Sequence, residues 1–455
     1  MQFDTETRDI KVCCRTWTLI ARCERMILYN ILLTILFPLA VPYFIIRSLF
    51  LRRSMRRSFL QRFGLFSGRK RGILKSMGPK VLIHAVSVGE TRAAIPLLKR
   101  IAADSDYKIV ITNVTDTGHL IAQTIDQVAL TLYMPFDFPF SVRWFLQTVR
   151  PEKLIIVETE IWPNLITEAH RIGIPVVIVN GRISDRSYKR YLQWSWFFGP
   201  LLQKTKIFAQ TAEDKERFIA IGADPDSVAV AGNFKFDLAV SDEEEHRLEY
   251  IHDEFKLPED PIPIFCAGSI HPDEFACMIE LHRNLLAEGN SVISIFAPRH
   301  PEKVPLLADA VQAAGFHTAL RTELPSRKKR LKSGDVLIVD TIGELLKIYS
   351  IADVVFVGGS FGATGGHNIL EACSVGKPVV YGPNMVNFRE IARIVKEWEA
   401  GCWVTTQVEL LESVKGILCN EALATHMGTQ GKALLKKNHG AVDMVFAHVF
   451  QSKEQ

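Results

Sequence analysis

The chain has 455 residues, 48% of them hydrophobic and 23% charged, which is enough apolar content for more than one buried core and excludes an intrinsically disordered chain. Lysine and arginine number 54 against 50 aspartate and glutamate, a net charge of +4, too balanced for a protein dedicated to nucleic acid. Eight scattered cysteines, none in C-x-x-C spacing, argue against a zinc ribbon, an iron–sulfur site, a thioredoxin motif or a disulfide scaffold, and suit a reducing compartment.

In chain order, an arm over 1–26 precedes an uncharged run over 27–46. Twenty such residues are the length at which an apolar helix crosses a bilayer core. The run exceeds a signal-peptide core, and no small-residue cleavage site comes after it. Arg47, Arg52, Arg53, Arg56, Arg57 and Arg62 come next, a denser cluster than Arg15, Arg22 and Arg25 before the run. Such a cluster stays cytoplasmic and attracts anionic headgroups. The expectation is a membrane anchor over 27–50 with the main body in the cytoplasm. A spanning helix is preferred to a half-inserted hairpin kinked at Pro38 and Pro42, because prolines are tolerated in membrane helices.

Beyond residue 80, short apolar runs alternate with helical stretches. The predicted strands are 81–85, 108–112, 131–134, 154–157, 176–179 and 207–209, then 264–267, 292–296, 336–339, 354–357 and 378–381. This alternation predicts the α/β class with two parallel, doubly wound sheets. The acidic run 242–245 and Pro258, Pro261 and Pro263 mark a linker over 241–263 between an α/β domain at 51–240 and a second at 264–430. Residues 431–455 read as a closing helical segment. Two such domains facing each other form a cleft, where ligands bind at the carboxyl ends of the strands.

Five segments carry residues suited to chemistry. The first, His84-Ala-Val-Ser-Val-Gly-Glu90-Thr, follows a strand and opens a helix, so Glu90 is either a general base at a cleft or a first-turn carboxylate that complements the helix dipole. The second, Glu158-Thr-Glu160-Ile-Trp162-Pro-Asn164, ends a strand. Its acids are catalytic or metal-binding, or one caps the helix while the other pairs with a base such as Arg182, and they share a face if the strand persists. The third, Gly232-Asn-Phe-Lys235-Phe-Asp237, offers a lysine that neutralises a departing phosphate or merely decorates the surface. The fourth, Ala297-Pro298-Arg299-His300-Pro, puts an arginine after a strand, as a phosphate clamp or in a loop salt bridge.

The fifth is the most specific: Gly358-Gly-Ser360-Phe-Gly362-Ala-Thr-Gly365-Gly366-His367-Asn368-Ile-Leu-Glu371-Ala. A strand enters a glycine-rich loop that opens a helix, where free backbone N–H groups and the dipole favour an anion. Glu371, one turn inside, is placed to accept from two ribose hydroxyls. The loop is neither a Walker A motif nor the dinucleotide fingerprint.

The Gly-Gly-His-Asn-x-Leu-Glu-Ala run resembles the nucleotide-sugar glycosyltransferases of the GT-B fold. Together with Ser87 to Thr91, Glu158 to Asn164, Gly232 to Asp237, Gly268-Ser269 and Pro298 to Pro301, it resembles the Kdo (3-deoxy-D-manno-octulosonic acid) transferases of lipopolysaccharide synthesis. The resemblance implies a CMP-Kdo donor, the lipid A precursor lipid IVA as acceptor, an inverting transfer, no cofactor and no bound metal. It implies Glu90 as general base, and Glu160 and Lys235 as transition-state support. It implies CMP contacts at Pro298, Arg299, Ile342, Gly343, Glu344, Asn368, Ile369, Leu370 and Glu371. It also implies a bacterial inner-membrane protein with one N-terminal anchor, catalytic domains on the cytoplasmic side, a membrane surface as partner and no nucleic acid. The arm over 1–26 is longer than that pattern expects. Transfer from a ketose acid passes through an oxocarbenium-like state, which calls for a carboxylate base on one side and cations at the phosphate on the other. Two other readings stand beside it: an epimerase of the UDP-GlcNAc 2-epimerase type, against which the anchor argues, and a membrane-tethered nucleotide-binding scaffold.

Overall fold

The computed structural model describes residues 26–38, 60–239 and 251–451; the arm up to residue 25, the rest of the expected anchor and the first part of the expected linker lie outside these. Two compact units emerge. Unit 1 is Met1–Phe234 together with Gly440–Gln455, and unit 2 is Lys235–His439. Phe255 and Leu257, within the stretch read as linker, are buried in the core of unit 2.

Unit 1 is built on a seven-stranded parallel sheet of β1 (Lys80–His84), β2 (Lys108–Asn113), β3 (Val128–Tyr133), β4 (Lys153–Val157), β5 (Val176–Gly181), β6 (Lys206–Ala209) and β7 (Val228–Val230). Their order is β3-β2-β1-β4-β5-β6-β7. Central strands covered on both faces lose the period-2 alternation and read as continuous aliphatic runs, and β1 and β5 are buried at every position. One face supports the Leu82, Val110, Ile156 and Ile178 core, the other the Val81, Ile83, Ile155 and Val179 core. β1 has β2 on one side and β4 on the other. The side on which successive strands are added therefore reverses there, and the crevice outside a parallel sheet opens at such a switch point.

Unit 2 repeats the principle with β8 (Ile264–Ile270), β9 (Ile293–Pro298), β10 (Thr318–Leu320), β11 (Val336–Ile338), β12 (Val354–Val357), β13 (Val379–Tyr381) and β14 (Gly401–Trp403). The order is β10-β11-β9-β8-β12-β13-β14, all parallel, with its switch between β8 and β12. Every strand expected from the sequence is present. The three not expected, β7, β10 and β14, are short strands at sheet edges, where Val-Ala-Val, Thr-Ala-Leu and Gly-Cys-Trp show no sustained aliphatic run.

Two chain ends complete unit 1. The helix Ala441–Phe446 and the π-helical turn Ala447–Gln451 return to it and bury Val442, Val445, Phe446 and Val449 in its core. At the other end residues 26–38 are helical. Among the described residues no helix is long and apolar enough to cross a membrane.

Candidate active site

Ser87 ends the turn after β1 and caps the helix Val88–Asp104, its hydroxyl accepting from the Glu90 N–H at 3.4 Å. The Glu90 carboxylate answers by accepting from the Ser87 hydroxyl at 2.8 Å and from the Val86 N–H at 2.6 Å. This reciprocal pattern is close to a capping box, so the helix-start role read as one alternative is real. The same bonds hold the carboxylate in one place, almost buried. Burial pushes its pKa up and Glu158 adds to the shift, while the Ser87 and Val86 bonds oppose it.

The second acidic segment leaves β4 across the switch point. The strand ends at Val157, so Glu158 and Glu160 do not share a strand face as a longer strand would have them. Glu158 instead turns the chain with φ +61°, a left-handed conformation that costs a non-glycine residue on the order of 1 kcal/mol or more. Its N–H still donates to Val179 O at 2.9 Å. Arg182 meets the segment through its backbone, its N–H donating to Thr159 Oγ1 at 3.1 Å. Burial, then Glu90, then Glu158 push the Glu160 carboxyl up to about 7. Three carboxyl groups from two strand ends thus share one field. A carboxyl held near neutrality is suited to move a proton.

Below them lie side chains that sequence reasoning missed. His84 is fully buried, with Nδ1 3.0 Å from Thr112 Oγ1 and its ring edge-on to Trp162. Burial holds it neutral, its pKa lowered to about 4. Asn113 donates to Ala85 O at 2.7 Å and to Thr91 Oγ1 at 2.9 Å, tying the Glu90 turn to β2. A polar residue inside an aliphatic strand run was the available signal.

The expected nucleotide residues lie at the carboxyl edge of the unit 2 sheet. Pro298 ends β9, and the Arg299 N–H donates to Ile270 O at 2.9 Å while its side chain is exposed. Ile342 and Gly343 come after β11; Ile342 is the most exposed large apolar side chain described, and Gly343 has φ +89°. Glu344 accepts from the buried Arg321 at 2.8 Å and from Thr341, so its carboxylate already has two partners. Asn368 accepts from the Leu370 N–H at 3.3 Å and donates to Glu371 Oε1 at 3.2 Å. Ile369 and Leu370 are fully buried in the core, which leaves only their backbone to meet a ligand. Lys235, the first residue of unit 2, donates to Asn387 O at 3.3 Å and lies 4.2 Å over the Phe388 ring.

The glycine-rich loop corrects one expectation. Its N–H groups are not all free for an anion: those of Gly359, Ser360 and Phe361 donate to the Glu274 carboxylate at 2.8–3.0 Å, and the His271 N–H joins them at 3.0 Å. The protein supplies its own anion. Gly358 is required here, since a Cβ would sit 2.8 Å from Glu274 Oε2 and closer still to Ser269 O. The loop folds back at Gly365 and Gly366, both left-handed. His367 then stacks on His271, Nε2 to Nε2 2.9 Å, with His300 edge-on to His271. These imidazoles stand after β8, β9 and β12, three adjacent strands at the switch point. Burial first, opposed by Glu274, lowers the His271 pKa. Glu274 and His271 occupy a polar turn with no motif signal; only the fold brings them under the loop.

The family model of 3-deoxy-D-manno-octulosonic-acid transferase (kdotransferase) matches residues 57–238. A 3-deoxy-D-manno-octulosonic acid transferase of Haemophilus influenzae is 34% identical over 373 residues, covering 80% of this chain and 84% of its own. One from Chlamydia pneumoniae is 28% identical over 423 residues, covering 91% and 93%. Among solved structures, UDP-GlcNAc 2-epimerase from Neisseria meningitidis superposes with TM-score 0.55 at 15% identity, covering 82% of this chain and 100% of that one, a likeness of fold.

Proposed function

Starting from the fact that the chain belongs to the 3-deoxy-D-manno-octulosonic acid (Kdo) transferase family, we propose that it transfers Kdo from CMP-Kdo to the lipid A precursor lipid IVA, inverting the anomeric carbon. The observation that carries this reading is the acidic site of unit 1: Glu90, fixed by Ser87 and Val86, in the field of Glu158, with Glu160 raised toward neutrality beside it.

In the step proposed, Glu90 takes the proton of the acceptor hydroxyl as its oxygen bonds to the Kdo anomeric carbon. The bond from that carbon to the phosphate oxygen breaks, and its electron pair leaves with CMP. The developing positive charge on the sugar is offset by the nearby carboxylates, with Glu160 as the transition-state partner. Arg299 and Lys235 offset the charge on the departing phosphate, and the Asn368–Glu371 pair orients the ribose. Arg is suited to this work because its planar fork meets a phosphate with two donors. The arginine-rich stretch 47–62 and the uncharged run before it support a place at the cytoplasmic face of a bacterial inner membrane, where such an acceptor resides.

The test is mass spectrometry of lipid IVA incubated with the purified protein and CMP-Kdo. A mass gain of one or more Kdo units, with CMP released in equal number, is expected. Turnover of CMP-Kdo without a gain on the acceptor, or no turnover at all, overturns the reading.

A further inference from the structure

The imidazoles at the switch point of unit 2 have no part in the step above, yet they stand where the nucleotide residues converge. His271 follows β8, His300 follows β9 and His367 closes the glycine-rich loop after β12. The Arg299 N–H is bonded to the O of Ile270, the residue before His271. The Asn368–Glu371 pair begins one residue after His367. The His271 and His367 rings therefore join the residue expected at the phosphate to those expected at the ribose.

The bond between these rings constrains their protons. They lie nearly parallel, 9° apart, with Nε2 to Nε2 2.9 Å. A ring nitrogen either donates or accepts, so one Nε2 carries a proton and the other does not. In the neutral pair the accepting ring then holds its proton on Nδ1, and the donating ring has a bare Nδ1. Such a pair shows an N–H at one outer end only. One added proton goes to the bare Nδ1 and leaves the Nε2 bond intact. The pair then shows an N–H at both outer ends and carries one positive charge.

Packing fixes this arrangement. A Cβ on Gly359 would come 2.9 Å from His367 Cδ2, so that ring is seated on the loop backbone. His271 is anchored by its own N–H, which donates to Glu274 Oε2 at 3.0 Å, and has the His300 ring edge-on. The charged groups around it pull both ways. Asp273 and Glu274, from the turn after β8, favour a charged imidazole, while Arg299 and His300, from the loop after β9, oppose it. Glu302 stands 3.6 Å from His300 Nδ1, and Glu371 is engaged by Asn368. The segment 384–388, bonded to the loop through Asn384 and Asn387, brings no titratable group. Burial is the largest influence and lowers the His271 pKa, which favours the neutral pair at about pH 7 until an opposite charge arrives. A phosphate held by Arg299 is such a charge.

We propose that the His271–His367 pair is a proton-loading part of the nucleotide site: it takes up one proton as the donor's phosphate binds, and gives that proton to the phosphate as CMP departs. In that step the bond from the sugar carbon to the phosphate oxygen breaks and its electron pair stays on the oxygen. An outer Nδ1–H proton moves to the same oxygen. The pair returns to neutral, and CMP leaves as a monoanion. This role deepens the proposed transfer and rests on that reading.

The test is calorimetry of CMP binding to the full chain in Pipes and in Tris at about pH 7. The two buffers differ in their heat of ionisation, so the pair of titrations counts the protons exchanged. The phosphate of CMP also titrates, and its share is the same in parent and variants. His271→Gln and His367→Gln are each expected to take up about one proton fewer than the parent. Parent affinity is expected to fall as pH rises from the pair's free pKa to its bound pKa, by up to about tenfold per pH unit, and the variants lose that part of the fall. A packing role alone would change affinity without changing the proton count. His271 is half-buried, which spares the fold, and the His367 variant removes the same bond from the other side.

Single-turnover transfer from CMP-Kdo to lipid IVA reads the second half of the proposal. The parent rate is expected to decline at high pH as the bound pair loses its proton. Both variants are expected to be slower by about 10²-fold, with that decline gone. An equal proton count in the parent and both variants overturns the proposal, and so does an alkaline decline that persists in both. Either result in a parent that transfers Kdo removes proton loading alone. A parent that binds CMP and transfers nothing removes the proposed function, and the role of the pair with it.

Discussion

Glu274 holds the backbone of Ser360 from 86 positions away, its Oε1 accepting the Ser360 N–H at 3.0 Å. With the bonds from His271, Gly359 and Phe361, this carboxylate organises the whole entry to the glycine-rich loop.

Glu274→Ala therefore leaves four backbone N–H groups without their acceptor at the sheet edge. An unsatisfied buried donor costs about 1–3 kcal/mol, partly relieved by water. We expect about 2–5 kcal/mol lost in urea denaturation, and CMP binding by calorimetry weakened along with it. Glu274→Gln keeps an oxygen for only half of the donors and falls between. Unchanged stability in the alanine variant would mean the loop holds itself.

Glu90→Gln preserves the size of the side chain and much of its capping, since glutamine also serves at this helix position. It removes the ability to take a proton. Single-turnover transfer is expected to fall by about 10²–10⁴-fold, with CMP affinity nearly constant because the residues expected to meet the nucleotide belong to unit 2. A variant within a few-fold of the parent rate assigns Glu90 to the helix start alone and moves attention to Glu160.

Glu160 gives stability a pH dependence of defined sign. Its folded pKa, about 7, lies above the ordinary carboxyl value. Between those values the folded protein holds a proton that the unfolded chain has released, so its contribution to stability falls as pH rises through the interval and is level above about 7. Melting temperatures are expected to decline over that range, and Glu160→Gln to flatten the decline. A steeper slope in the variant contradicts the assignment.

Arg299→Ala removes an exposed guanidinium whose loop is fixed through its backbone bond to Ile270, so the fold is spared. A lost charge-assisted bond to phosphate is worth about 1.5–3 kcal/mol, or roughly 10- to 150-fold in CMP affinity by calorimetry. An unchanged affinity shows that Arg299 does not meet the nucleotide.

The sheets were legible because their buried strands are uninterrupted aliphatic runs, such as Val-Leu-Ile after Lys80 and Val-Val-Phe-Val at Val354. The acids at the first switch point were legible because they lie in the segments that leave two such runs, Glu158 and Glu160 just after β4 and Glu90 in the first turn of the helix after β1. Long-range polar pairings were not. Glu274 and His271 acquire their roles only when β8 and β12 lie side by side. The ion pair of Glu344 with Arg321 links residues 23 positions apart, and no spacing rule joins them. The 26–38 helix shows a different limit. Its apolar run was visible, but the sequence gives no role to Tyr29 and Asn30 within it, and only Asp137 and Asn164 reveal which side they face.

The return of Gly440–Gln455 to unit 1 has a consequence for synthesis. A ribosome makes the chain from one end, and residues that close one face of the first unit leave it only after the whole of unit 2. Until Val445 and Phe446 emerge, the side of the first sheet holding Ile83 and Leu97 has no cover from them. Unit 2 is continuous in the chain and has all its strands before that moment. The C-terminal unit is thus free to mature first, and the N-terminal one waits for Val445 and Phe446. A stop codon after His439 would then spare the nucleotide half and leave the acidic half open, a polarity opposite to the order of translation.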